Sequence, residues 1–223
     1  MSGQSPEPGI LFDLDGTLVD TVYQHVLAWS TAIARAGMSV PAWAIHRRIG
    51  MSGRSMLQQL LRGQRVSSVV LKKIEEGHDR AFKKLSIDVR PLPGAKELVR
   101  HLTRIGIPWA IATTGGQMPT RRLLRHLDIS DKVVVVTGDD VAKAKPSPDV
   151  FLTAAQRLEL PIEHCIVVGD SVWDMLAAGR RRALAVGILA GGYSEEELSR
   201  SGAFRVYADP ADLLEHHEDL GIE

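Results

Sequence analysis

Asp13 and Asp15 stand two residues apart at the end of a short apolar run, Ile10-Leu11-Phe12, and Gly16 and Thr17 follow at once. The run reads as a buried strand, and the Gly and polar residues after it as the strand's end. Side chains alternate across a strand, so both acids are expected to leave it on the same side. Neighbouring carboxylates repel, and each makes the other harder to ionise. A hard divalent cation between them turns that cost into a ligand set. The first expectation is a metal-assisted carboxylate site at a strand terminus.

Further chemistry gathers where other apolar runs stop. Trp109-Ala-Ile-Ala112 leads into Thr113-Thr114-Gly115-Gly116, and Ile166-Val-Val168 into Gly169-Asp170-Ser171, with Asp174 beyond. Val133–Val136 leads into Gly138-Asp139-Asp140 and then Lys143-Ala-Lys145-Pro-Ser-Pro148. Asp139 and Asp140 read as loop acids. Asp13, Asp15, Asp170 and Asp174 are four negative charges, against one on Lys145 and two on a divalent ion. A phosphate dianion needs more attraction than that, and oriented dipoles are expected to supply it. These are the hydroxyl and amide of Thr113, the Thr114 amide and the helix N-terminus that follows. Acids, one Lys, a hydroxyl and a Gly-rich turn suit phosphoryl transfer better than redox or acyl chemistry. The chain has no G-x-G-x-x-G, no Walker lysine motif and no G-x-S-x-G elbow.

These residues need a scaffold. Strands at 10–12, 109–112, 133–136, 166–168, 183–189 and 204–207 alternate with helices at 95–105, 120–127, 149–158, 172–179, 194–201 and 210–216. That alternation predicts a Rossmann-like α/β core, a parallel sheet with helices on both faces. Ligands then sit at the carboxyl ends of the strands, where the chemistry is found. Ser194 and Glu197 are spaced as a capping box. Between about 20 and 87 the pattern is helical only. Asp20 is placed to cap a first helix, whose Val22, Val26, Trp29 and Ile33 share a face, with Gly37 as its stop. Pro41 opens a second helix towards Ile49. Ser52 or Ser55 caps a third, and Ser67 or Ser68 a fourth, with Val70, Ile74, Ala81, Phe82 and Leu85 in phase. The predicted organisation is an α/β core over 1–19 and 88–223, with an inserted helical cap domain over 20–87.

Lys plus Arg equals Asp plus Glu at 27 each, so no net charge draws the chain to nucleic acid or an anionic membrane. No apolar run approaches spanning length. The N-terminus lacks the basic and apolar regions of a secretory signal. The single cysteine, Cys165, has apolar neighbours and reads as a buried structural thiol, and a cytoplasmic setting is expected.

Four short motifs in order carry a resemblance. Asp13-Leu-Asp15-Gly-Thr17, Thr113, Lys145 in Lys-Pro-Ser-Pro, and Gly169-Asp170-Ser-x-x-Asp174 resemble the four motifs of the haloacid dehalogenase (HAD) superfamily. The match covers nearly the whole chain, and the helical segment is similar to the family's small cap. The Lys-Pro-Ser-Pro context selects Lys145 over Lys143. The resemblance implies that Asp13 attacks phosphorus and forms an aspartyl-phosphate, and that Asp15 protonates the leaving oxygen and then activates water. It implies Mg²⁺ on Asp13 and Asp170 through side chains, on Asp15 through its carbonyl, and with Asp174 supporting the shell. Thr113, Thr114 and Lys145 are implied to hold phosphoryl oxygens, Lys145 also steadying Asp13.

The segment Asp20–Trp29 is similar to that of β-phosphoglucomutases and their phosphatase relatives. It raises His25 as a hinge or proton-handling residue, with Trp29 packing in the cap. Arg54, with Arg47 and Arg48, lies where such caps carry a substrate loop. The implied function is a Mg²⁺-dependent phosphatase acting on a small phosphorylated metabolite of sugar phosphate or phosphoglycolate type, as a monomer or weak homodimer. A phosphosugar mutase is the alternative, and a non-catalytic HAD-like binding protein a further one. The second acid, Asp15, argues against dehalogenation, and the lack of a locatable cap lysine against phosphonate hydrolysis.

Overall fold

A computed structural model of the chain describes residues 8–222. Strand β1 spans Gly9–Phe12. Four helices follow: α1 (Val22–Arg35), α2 (Ala42–His46), α3 (Gly53–Leu60) and α4 (Ser68–Leu85). Then come α5 (Ala95–Ile105), β2 (Trp109–Ala112), α6 (Gln117–Leu124), β3 (Val134–Val136), α7 (Asp149–Arg157) and β4 (Cys165–Gly169). The chain continues through α8 (Val172–Gly179), β5 (Leu184–Ile188), α9 (Glu195–Arg200), β6 (Arg205–Tyr207) and α10 (Pro210–Glu215).

The six strands form one parallel sheet in the order β3-β2-β1-β4-β5-β6. Strand β1 is central, pairing Phe12 with Ile111 on one side and Val168 on the other. All four of its residues are buried, which is why its sequence is a continuous apolar run rather than an alternating one. Strand order reverses beside β1, so the crevice that opens there lies beyond the ends of β1, β2 and β4. One apolar core lies on each face of the sheet. Phe12, Leu98, Leu102, Ile111 and Val168 are central to the first, and Leu11, Val150, Phe151, Val167 and Met175 to the second.

Helices α1 to α4 enclose a third cluster of their own, including Val26, Trp29, Ile33, Ile45, Met56, Leu57 and Ile74. Helix α1 buries Val22, Val26, Trp29 and Ile33, the face its spacing predicts. Ser52 caps α3, accepting from Ser55 N at 3.2 Å, and Ser67 caps α4, accepting from Val70 N at 3.3 Å. Ser194 and Glu197 form the predicted capping box of α9.

Some local expectations are corrected. Asp20 is exposed and caps nothing; Thr21 holds the N-cap position of α1 but turns its hydroxyl to Asp15 and Val19. Helix α2 ends at His46, short of Ile49, because its last residues enter turns. Helix α6 begins at Gln117, three residues before its apolar residues suggested. Leu85 is exposed, and the stripe that α4 buries runs through Leu71, Ile74, His78 and Phe82.

Candidate active site

The loops at the ends of β1, β2 and β4 and the segment after β3 bring the four motifs into one crevice. Lys145 is the anchor. Its side chain is wholly buried, and Nζ donates to Asp13 Oδ1 at 2.5 Å. The same ammonium pairs with Asp174 Oδ1 at 2.8 Å. The other oxygen, Oδ2, is saturated, accepting from Ser171 N at 3.2 Å and Ser171 Oγ at 2.5 Å. Asp170 Oδ1 accepts from Thr17 Oγ1 at 3.1 Å. Lys143, the sequence neighbour, is exposed.

Asp13, Asp170 and Asp174 each place a carboxylate oxygen within 4.8 Å of the others, and all three are buried. Burial pushes the Asp13 carboxyl up to about 7; Lys145 opposes the shift, and Asp174 and Asp15 add to it. Burial, with Asp174 and Asp13 alongside, raises Asp170 well above the usual range. Burial alone would lower the Lys145 ammonium, but Asp13 and Asp174 outweigh it and hold it charged. Three acids around one base leave surplus negative charge out of reach of water. With hard oxygen donors only and more negative charge than Lys145 offsets, the cluster fits a hard divalent cation.

Asp15 faces the same crevice as Asp13, but its carboxylate has partners of its own. Asp15 Oδ1 accepts from Thr21 Oγ1 at 2.6 Å and lies 3.2 Å from His25 Nε2; Thr113 Oγ1 is 3.5 Å from Oδ2. Burial works to raise this carboxyl, but His25 and then Thr21 outweigh it, and its pKa sits below the ordinary carboxylate value. The carboxylate of Asp15 therefore stands outside the acid cluster that Asp13 joins.

Thr113 is buried with its hydroxyl accepting from Gly115 N at 3.0 Å. Its amide, expected to be free, donates to Val136 O in the sheet, because bonding to β3 runs one residue past the end of β2. The Thr114 hydroxyl donates to Gly50 O at 3.2 Å. Asp139 accepts from Gln117 N at 2.8 Å and lines the crevice, whereas Asp140 faces Thr137 and Arg157.

Helices α1 to α4 roof the crevice into a cavity of about 610 Å³, which reaches Asp13, Asp15, His25, Thr113 and Thr114 below and Arg48, Arg54 and His78 above. Arg54 pairs with Glu75 at 2.7 Å, and Arg48 donates to Gln59 and Ala44 O. Arg47 is not in the cavity wall. Its guanidinium lies over the Tyr193 ring at 3.9 Å and pairs with Glu197, since α2 presents it to the α9 side.

That contact belongs to a clasp. The Arg47 carbonyl accepts from Tyr193 Oη at 2.9 Å and Trp173 Nε1 at 3.3 Å, while His46 Nε2 lies 2.8 Å from Gly191 O. Burial pushes the Tyr193 hydroxyl up to about 12, so it stays a protonated donor. Gly50 (φ +97°) lets the roof loop descend, and a Cβ there would meet Ser171 Oγ at 2.8 Å.

Several residues of this site escaped the sequence reading. His78 lies 3.0 Å from His25 Nδ1 through Nε2 and 3.0 Å from Asp79 through Nδ1, and stacks on Trp29 at 3.9 Å. Its signal was available: a His on the apolar stripe of α4, one turn before Phe82. Thr17 and Ser171 sit inside the motifs. Tyr193, Trp173 and His46 carried no pattern. Cys165 is buried at the opposite end of β4, and burial pushes its thiol up to about 11, in keeping with a structural role.

A doubly wound parallel sheet with a buried carboxylate–lysine cluster at its switch point defines an α/β protein with a ligand crevice at its strand ends. The chain matches the model of the haloacid dehalogenase-like hydrolases over residues 8–180, and it belongs to that family. It is 35% identical over 174 residues to hexitol phosphatase A of Escherichia coli, covering 77% of this chain and 79% of that one. It is 29% identical over 217 residues to a phosphoglycolate phosphatase of Neisseria meningitidis, covering 95% and 92%. The chain is similar in structure to a hydrolase from Pseudomonas syringae, with a TM-score of 0.94 at 44% identity, over 96% of this chain and 99% of that one. Among the described residues, no helix is long and apolar enough to cross a membrane.

Proposed function

We propose that the protein is a Mg²⁺-dependent phosphatase acting on a small phosphorylated metabolite through an aspartyl-phosphate. The single observation that carries the reading is Lys145 bonded to Asp13 in a buried acid cluster beneath a roofed cavity. Phosphatases of small metabolites among the relatives support it.

Asp13 would be the nucleophile. Lys145 fixes one of its oxygens, leaving the other for phosphorus. Asp15 would hand a proton to the leaving oxygen and take one from the attacking water. Its depressed pKa suits the second task, and an arriving phosphate dianion would raise it for the first. Thr113, through its hydroxyl, Thr114, through its amide, and Lys145 would hold the phosphoryl oxygens. Asp13, Asp170 and Asp174, with the Asp15 carbonyl, would hold Mg²⁺, which when bound offsets the charge between nucleophile and substrate. The segment 20–87 would act as a cap, its clasp on Tyr193 and Gly191 closing the cavity against water. His25 would steady Asp15, and Arg54 would face the leaving group.

The test is phosphate release from an aryl phosphate and from a panel of phosphorylated metabolites, with Mg²⁺ and with chelator. Mg²⁺-dependent release that Asp13→Asn abolishes is the expected result. Full turnover by Asp13→Asn overturns the covalent route. Isomerisation of β-glucose 1-phosphate without phosphate release assigns the protein to the mutases instead.

A further inference from the structure

His78 is buried on the apolar stripe of α4 and has no part in the phosphoryl chemistry described above. Each of its ring nitrogens meets one partner. Nδ1 lies 3.0 Å from Asp79 Oδ1, and Nε2 lies 3.0 Å from His25 Nδ1. His25 in turn reaches Asp15 Oδ1 with its Nε2 at 3.2 Å. Asp79, His78, His25 and Asp15 therefore form an unbroken row, from an exposed carboxylate on α4 to the loop after β1. Stacking fixes the two rings. His78 lies on Trp29 and His25 on Phe82, each at 3.9 Å, and the imidazole planes are 10° apart.

Donor counting gives the row a direction. An ionised carboxylate only accepts, so His78 Nδ1 carries the hydrogen shared with Asp79. Burial holds the His78 pKa below the usual imidazole value, although Asp79 opposes it, and favours a ring with one N–H. His25 and Asp15 are the other titratable groups facing it. A neutral ring that donates from Nδ1 has a bare Nε2. That lone pair accepts, and the atom it meets is His25 Nδ1, which must carry a hydrogen. The assignment holds whether His25 is neutral or charged, because the two forms then differ only at Nε2. A bare Nε2 would set its lone pair against the Asp15 oxygen, so one proton lies between those two atoms. With the proton on Asp15 the imidazole is neutral; with it on Nε2 the carboxylate is ionised and the imidazole charged.

We propose that His78 is a positioning residue for proton transfer: anchored by Asp79, it takes the Nδ1 hydrogen of His25 and so commits His25 Nε2 to sharing a proton with Asp15. This rests on the phosphatase reading above, in which Asp15 gives and takes the proton. Without the His78 acceptor, a neutral His25 can carry its one hydrogen on Nε2 and bond an ionised Asp15. The proton destined for the leaving oxygen is then missing.

The experiment reads the hydrogens first. Long-range proton–nitrogen correlation spectra of the wild type are taken at neutral pH, the signals of His25 and His78 being identified by their loss in His25→Gln and His78→Gln. They are expected to show a hydrogen on Nδ1 of His25, and on Nδ1 but not Nε2 of His78. A hydrogen on His78 Nε2, or His25 protonated at Nε2 alone, reverses the row and overturns the proposal. Turnover comes second. His78→Phe keeps a ring against Trp29 and Phe82 but offers no acceptor, whereas His78→Gln offers an acceptor without the ring. His78→Phe is expected to lower kcat roughly three- to tenfold, with KM changed by less than about twofold, a part of the roughly 10²–10⁴-fold that a positioned acid–base supplies. His78→Gln is expected to recover some of that loss. Wild-type kcat in a folded His78→Phe protein, a loss that His78→Gln does not ease, or an effect confined to KM overturns the proposal. The expected hydrogens without phosphate release keep the positioning role and sink the phosphatase reading; release with the hydrogens reversed does the opposite.

Discussion

The ammonium of Lys145 lies 2.8 Å from Oδ1 of Asp174, and neither side chain has any exposed surface. One cation thus ties the segment after β3 to the first turn of α8, while also holding Asp13. Removing it strands two buried carboxylates. Lys145→Met is expected to destabilise the metal-free protein by roughly 3–5 kcal/mol, the cost of breaking a buried pair. Turnover should fall by about 10² or more as the phosphoryl oxygens lose a donor. Chemical denaturation in chelator and steady-state kinetics check the two effects separately. Wild-type stability in Lys145→Met would contradict the anchoring role.

Metal and protons compete for the same carboxylates. Asp13 titrates near 7 in the folded chain, through burial opposed by Lys145, against an ordinary value of 3.8. Between those values the folded state holds the extra proton, so stability falls as pH rises through that window. The contribution is whole below 3.8 and gone above about 7. Asp170, raised by burial and by Asp174, acts in the same direction. In chelator, Tm is expected to drop between about pH 4 and about pH 7, with Asp13→Asn flattening the slope. Adding Mg²⁺ should raise Tm most at the alkaline end. Thermal melts across pH, with and without the ion, decide this; a metal shift that is the same at both ends counts against it.

His25 holds the Asp15 carboxyl down against burial. Without the imidazole, burial dominates and the pKa of Asp15 rises. His25→Ala is therefore expected to move the acid limb of the kcat/KM profile to higher pH and to cut the plateau about tenfold or more. Thr21→Val should shift the limb the same way by less, since its contribution is smaller. An unmoved limb in both variants would mean that Asp15 is not the group being titrated.

The clasp makes a prediction about closure. Tyr193→Phe removes one donor to the Arg47 carbonyl, worth about 0.5–1.5 kcal/mol. KM is expected to rise by up to roughly tenfold, with kcat less affected, as the roof spends more time open. Gly191 sits in the same loop, and a Cβ there would collide with the Asp170 carboxylate. Gly191→Ala should instead weaken Mg²⁺ affinity, read by titrating the ion against activity. If the two variants gave the same phenotype, clasp and metal cluster would not be the separate devices that the geometry describes.

Order and spacing in the chain were enough for the alternation of strands and helices, the apolar face of α1 and the Ser caps. They also sufficed for the placement of Asp13, Thr113, Lys145 and Asp170 at one end of the sheet. Those features depend on local periodicity and on the rule that parallel strands deliver their following loops to a common edge. Tertiary structure decided the rest. Asp13 and Asp15 face the same crevice as expected, but only tertiary contacts give Asp15 its own partners, Thr21 and His25, and leave it out of the acid cluster. The Thr113 amide is spent on β3, which only the strand order reveals. His78 meets His25, and Tyr193 meets Arg47, across 53 and 146 residues of chain. Contacts of that range arise from packing the helical segment over the crevice; the apolar stripe of α4 marks His78 as buried but not its partner.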